Sequence, residues 1–206
     1  MLCDGRGFVS LAVKVKDRPM AKQDMPSCHF TYEDYLEFPD DGKRHEIIDG
    51  NHYATPAPKT KHQAISLVVL TRLHLFVKDH KLGDVFTAPF DVILSDEDIV
   101  QPDIIFISAA RSNIITEENI QGAPDLVIEI LSESTRKRDE IIKRKLYERC
   151  GVREYWIIDP ELETLKVFRL AENKFGRASE LSNEASDVIT TELLPGFKLP
   201  LSEIFE

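Results

Sequence analysis

The sequence predicts an α/β fold, a mixed β-sheet flanked by helices, and three observations carry that prediction. The apolar run "DLVIEILS" (125–132), a helix-patterned stretch closed by Gly151 and a second apolar run, "EYWIIDP" (154–160), have the length of a right-handed βαβ crossover. Such a crossover pairs its two strands in parallel. Hairpin signals nearer either end of the chain demand antiparallel pairs beside it. Between Lys61 and Lys81, apolar residues Ile65, Val68, Val69, Leu73, Phe76 and Val77 follow helical spacing.

In chain order, Thr31 with Asp34 three residues on signals the start of a short helix in "TYEDYLEF". "HEIIDGNHYA" reads as two strands about a turn at Asp49-Gly50-Asn51. The helix over Lys61–Lys81 is expected to end at Gly83. "DVFTA", "FDVILS" and "DIIFIS" read as strands, the last preceded by Pro102, which is tolerated at a strand's beginning. After "DLVIEILS" a helix is expected from about Thr135 to Cys150, then strands "EYWIIDP" and "TLKVFRL". "LLPGFKLPLSEIF" supplies a terminal strand and a short helix. Trp156 is expected in the core.

The 206 residues, 42% hydrophobic and 30% charged, suit one domain over residues 26–206 after a leader at 1–25. The apolar patch "FVSLAV" near the N-terminus lacks the h-region and cleavage site of a signal peptide. No stretch approaches the roughly 20 uncharged apolar residues that span a bilayer. Cys3, Cys28 and Cys150 are too scattered for a zinc site or a disulfide framework, which points to the cytoplasm. A net charge of −10 argues against broad attraction to nucleic acid. Residues 136–149, however, hold seven basic against three acidic side chains, so this segment is at +4 and the rest at −14.

Two carboxylates stand where core strands exclude charge. Asp103 heads "DIIFIS" and Glu129 interrupts "LVIEIL". A buried carboxylate needs a cation, hydrogen bonds or a raised pKa. If these strands are neighbours, the two side chains stand about 5 Å apart on one face. A hard divalent ion such as Mg²⁺ suits such a pair. The plainer reading pairs Glu129 with a buried Arg or Lys. Spacing alone does not separate Lys143 from Lys137 or Lys145, although Asp139, Lys143 and Tyr147 share a helix face. Motifs for a phosphate loop, a zincin, a nucleophile elbow or a dinucleotide site are all missing.

The elements "RHEIIDG", "KHQAI", "QPDIIFIS", "DLVIEILSEST" and "RDEIIKRKLYERCGVREYWIIDP" together resemble the Uma-type restriction-endonuclease-like family of the PD-(D/E)XK nuclease superfamily, over about residues 30 to 200. The resemblance implies a restriction-endonuclease-like core and Mg²⁺-dependent hydrolysis of DNA by a metal-activated water, with Mn²⁺ as a substitute. It implies that Asp103 and Glu129 bind the metal and that Glu46 supports it, matching an acidic residue from the first helical region of these nucleases. The superfamily's lysine position, two after Glu129, holds Leu131, and Lys143 matches the place to which that lysine has moved. His62 matches a recurrent histidine and, with Arg136 and Arg138, is a candidate substrate contact. Away from the resemblance, Glu46 reads equally as a surface charge, His62 as a polar residue near a helix N-terminus, and the basic helix as a solvated face. By analogy a homodimer is expected. The other readings are a silent nuclease fold that binds nucleic acid or protein, and a hydrolase of smaller phosphate esters.

Overall fold

The computed structural model describes residues 29–206; the segment 1–25 read as a leader, with Cys3 and Cys28, lies outside the described residues. The elements are α1 (Tyr32–Leu36), β1 (Arg44–Ile48), β2 (Asn51–Thr55), α2 (Thr60–His80), β3 (Gly83–Thr87), β4 (Val92–Ser95) and β5 (Asp98–Val100). Then come β6 (Ile104–Ser108), a 3-10 turn (Ala109–Ile114), β7 (Ile120–Gln121), β8 (Leu126–Ile130), a π-helical turn (Arg138–Lys143) and α3 (Arg144–Cys150). The chain closes with β9 (Glu154–Asp159), β10 (Thr164–Ala171), β11 (Lys174–Phe175), β12 (Ser179–Ser182), β13 (Val188–Ile189), β14 (Leu199–Pro200) and α4 (Leu201–Phe205).

The main sheet runs β11-β10-β9-β8-β6-β3, with β12 also on β10, and a second sheet runs β2-β1-β5-β4-β7. The expected crossover is present: β8 and β9 pair in parallel, Leu126 opposite Glu154 through Ile130 opposite Ile158. On its other edge β8 pairs antiparallel with β6, Ile104 opposite Ile128. Strand β8 is buried along its whole length because both faces are covered. Leu126, Ile128 and Ile130 point into a core shared with Ile65, Val69, Leu73 and Val77 of α2. Val127 and Leu131 point the opposite way, against Leu146 and Tyr147 of α3 and Ile48 and Val100 of the second sheet. Trp156 is fully buried, as expected.

Local signals explain several boundaries. Thr31 and Asp34 form the anticipated capping box at α1. The β1–β2 hairpin turns on Asp49 and Gly50, both at positive φ (50° and 67°), with Ile48 opposite Asn51. The C-terminus of α2 corrects the expectation placed on Gly83. Lys81 adopts the left-handed conformation (φ 54°) and its N–H bonds back into the helix, so Gly83 is free to begin β3. There Gly83 is required for another reason: its φ is 146°, and a Cβ would lie 2.0 Å from the Ile107 carbonyl oxygen of the paired strand.

The helix after β8 is continuous over 136–150 but contains the π-helical turn, which apolar spacing did not announce. Short strands β5, β7 and β11 to β13 were also not anticipated. Among the described residues no helix is long and apolar enough to cross a membrane.

The close approach at Gly83 generates a test. Gly83→Ala should destabilise the fold by about 2 kcal/mol or more, since strain and a backbone clash add. Chemical denaturation of the purified variant measures it.

Candidate active site

Continuing the β6–β8 register by one residue sets Asp103 opposite Glu129, so the two strand carboxylates face each other as the sequence suggested. The alternation of β8 turns Glu129 to the α3 side, between Val127 and Leu131. Strand β1 of the second sheet brings Glu46 to the same place, from a strand rather than from a helix. The π-helical turn contributes Asp139 and Lys143. Glu46, Asp139 and Lys143 are each 2% exposed, Glu129 3% and Asp103 5%. The reading of Glu46 as a surface charge is therefore overturned, and so is that of the basic helix as a wholly solvated face. Lys137 and Lys145 are exposed; of the three lysines, Lys143 is the buried one.

The Lys143 ammonium is the centre of the cluster. Its Nζ lies 2.7 Å from Glu46 Oε1 and 2.8 Å from Glu129 Oε1, and 3.9 Å from Asp139 Oδ1. Tyr147, one turn on, donates its hydroxyl to Glu129 Oε1 at 2.9 Å. The Gln101 N–H donates to Glu46 Oε1 (3.0 Å), and Arg138 Nη2 stands 3.6 Å from Glu46 Oε2. Asp103 is held separately. Arg44 Nη1 donates to its Oδ1 (2.7 Å), while His62 Nε2 and the Ile130 N–H donate to Oδ2 (3.0 and 2.9 Å).

These partners divide the carboxylates electrically. Burial works against an ionised Asp103, but the His62 hydrogen bond and the Arg44 charge outweigh it and bring its pKa down to about 2. Burial pushes Glu129 up from 4.5 to about 8; Lys143 pulls it down, while Asp139, Asp103 and Glu46 push it further up. Asp139 rises to about 6, again chiefly through burial. Glu46 is lowered, because Lys143 and Arg138 overcome its desolvation. Desolvation also opposes the Lys143 charge, yet Glu129, Glu46 and Asp139 together raise its pKa. Several buried acids share few cations, and two of those acids remain protonatable near neutrality.

The group lines a cavity of about 80 Å³, flanked by wider ones of about 420 and 430 Å³, and His62 borders all three. The other two candidate substrate contacts are engaged within the protein. Arg136 binds Asp159 through two hydrogen bonds (2.6 and 3.1 Å), and Arg138 donates to Thr55 Oγ1 (2.5 Å) and lies over the Tyr53 ring. Arg44, Asp139 and Tyr147 received no role from the sequence. Arg44 is two residues before Glu46 on one strand, and 139, 143 and 147 are spaced by four; both spacings placed them on the site's face.

Among the described residues no three His, Cys, Asp or Glu side chains gather in metal-binding geometry; the Lys143 ammonium stands between two of the carboxylates instead. The donor chemistry nonetheless suits a hard divalent cation, since Asp103, Glu129, Glu46 and Asp139 offer only carboxylate oxygens. Asp139 Oδ1 is buried with no hydrogen-bond partner.

The sheet order, the crossover and the strand-borne carboxylates define a nuclease-like α/β fold. The crystal structure of "a putative nuclease belonging to DUF820 from Anabaena variabilis" has that fold, with a TM-score of 0.73 and 22% identity over 85% of this chain and 97% of that one. A family model described as "Uma2: Putative restriction endonuclease" matches residues 32–202, and the chain belongs to that family. No curated protein matches the chain.

The pKa of Glu129 sets a pH dependence. Its folded-state value lies above the unfolded one, so its contribution to stability is full below pH 4.5 and is lost as pH rises through about 8. In EDTA, melting temperature should fall across that window in the native protein and less so in Glu129→Gln. Parallel pH profiles for the two would contradict this assignment.

Proposed function

We propose that this protein is a divalent-metal-dependent endonuclease that hydrolyses DNA phosphodiester bonds. The observation carrying the reading is that Asp103, just before β6, lines one cavity with Glu129 of β8 and Glu46 of β1, with the ammonium of Lys143 buried between Glu46 and Glu129. Membership of a family described as restriction endonucleases supports the reaction class.

In this reading Asp103, Glu129 and Glu46 hold Mg²⁺, or Mn²⁺ in its place. When bound there, the ion would activate a water and offset the negative charge of the phosphate. Arg44 and His62 fix both oxygens of Asp103, so that carboxylate is oriented before any ligand arrives. Arg138 stands 3.6 Å from one oxygen of Glu46, a charge contact beyond hydrogen-bond reach. Lys143 stays charged at neutral pH and provides an ammonium against the negative charge that grows on the phosphate. His62, at the junction of the three cavities, borders the path a strand would take. Arg136 borders one end of that path but is paired with Asp159, so a backbone contact from it requires that pair to open and carries no sequence preference. The protein acts as a homodimer in this account, one subunit for each strand of the duplex.

Plasmid nicking tests the proposal. With Mg²⁺ the native protein should convert supercoiled plasmid to open-circle and linear forms, and EDTA should abolish the conversion. Glu129→Gln and Lys143→Ala, with folding checked by circular dichroism, should each lose about 10²-fold or more in rate. Retention of DNA without cleavage would favour a silent binding module, and faster turnover of a small phosphodiester than of DNA would overturn the substrate.

A further inference from the structure

Among the described residues five buried side-chain atoms have no hydrogen-bond partner, Arg44 Nε, His62 Nδ1, Gln101 Oε1, Arg138 Nε and Asp139 Oδ1, and the last is the one carboxylate oxygen among them. Asp139 is 2% exposed, yet its Oδ1 accepts no hydrogen bond among the described residues. A buried acceptor left this way is uncommon in folded proteins and points to a partner present in another state. The nearest cation is Lys143 Nζ at 3.9 Å, four residues later on the same π-helical turn and beyond hydrogen-bond reach. Short π-helical stretches inside α-helices often mark functional positions.

Lys143 meanwhile makes its two short contacts with Glu46 (2.7 Å) and Glu129 (2.8 Å), two of the three carboxylates that the proposed function assigns to the metal. An ammonium and a divalent ion held on the same carboxylate oxygens repel each other strongly, because like charges then stand so close. The ammonium has to give up its two short contacts with those oxygens.

We propose that Asp139 is a second berth for the Lys143 ammonium, occupied when a divalent cation takes Glu46 and Glu129. The inference rests on the metal-dependent reading above. The move is short: closing 3.9 Å to an ordinary ion-pair distance takes Nζ about 1 Å. The lysine stem has the rotatable bonds to make it, and both residues sit on one turn, so neither sheet has to shift. The transfer satisfies the orphaned oxygen and keeps the ammonium inside the cavity, beside the substrate phosphate. Asp139 is on this account a positioning residue that acts through Lys143.

A double-mutant cycle on metal affinity tests the berth. Mn²⁺ is titrated calorimetrically into the full chain and into Asp139→Asn, Lys143→Met and the double variant. Asp139→Asn should weaken binding by about tenfold. Lys143→Met should tighten it, since no ammonium has to move, and in that background Asp139→Asn should change nothing. An equal loss in both backgrounds would make Asp139 a metal ligand or a structural support and overturn the berth. A crystal of the unsubstituted protein soaked in Mn²⁺ answers without variants. Lys143 Nζ within about 3 Å of Asp139 supports the proposal. An ion on Glu46 and Glu129 with Lys143 turned elsewhere overturns the berth and leaves the metal site standing. If no Mn²⁺ binds at all, the metal-dependent function fails, and the berth fails with it.

Discussion

The structure depends on one buried cation. Lys143 joins the helix after β8 to strand β8 through Glu129 and to the second sheet through Glu46. Taking an ammonium out of water costs several kcal/mol, and it is tolerable here only because carboxylates from separate elements surround it. The dependence runs both ways. Without Lys143, Glu46 and Glu129 would face each other across a buried cavity, and removing one partner of such a buried pair costs about 3–5 kcal/mol. These contacts thus set where the π-helical turn docks. They also fix how the small sheet sits over the main one, and they hold the candidate catalytic groups together.

Around that centre the cluster is divided into two electrostatic halves. Asp103 has two side-chain donors and a backbone N–H, and it is ionised at any physiological pH. Burial pushes Glu129 and Asp139 up, and the single Lys143 ammonium beside them only partly offsets it. Carboxylates with such different proton affinities, side by side in one cavity, are what general acid–base and metal-assisted chemistry uses. A fold stabilised only by its core would have no use for the arrangement. Ile and Leu at these positions would pack β8 as well and avoid the desolvation.

Much of this was legible in the sequence because it follows from local rules. A charged residue inside "LVIEIL" is anomalous in any buried strand, and the βαβ length placed a helix directly after it. The pairing of β6 with β8 then needed only that the two anomalous carboxylates share a purpose. What could not be read depends on tertiary geometry. The exposure of Lys137 and Lys145, against the burial of Lys143, is decided by how the helix docks, and all three carry the same charge on the same charged segment. The basic helix read equally as a solvated face or as a contact for nucleic acid, yet Arg136, Arg138 and Arg149 turn to Asp159, Glu46 and Asp98. The sequence counts charges; it does not show that acidic residues far along the chain neutralise them. Strands of two or three residues, such as β5 and β13, are too short to show an alternation at all. Lys81 displaced Gly83 as the end of α2 because a non-glycine residue can take the left-handed conformation where the last turn is well bonded.

The charge state and position of Lys143 carry the whole account, and nuclear magnetic resonance can observe both. The side-chain signals of Lys143 should be followed in metal-free protein as pH is raised. The ammonium should still be mostly protonated at pH 10.5, where an ordinary exposed lysine is half titrated. A Lys143 that loses its proton at or below that pH would contradict a cation held between Glu46 and Glu129.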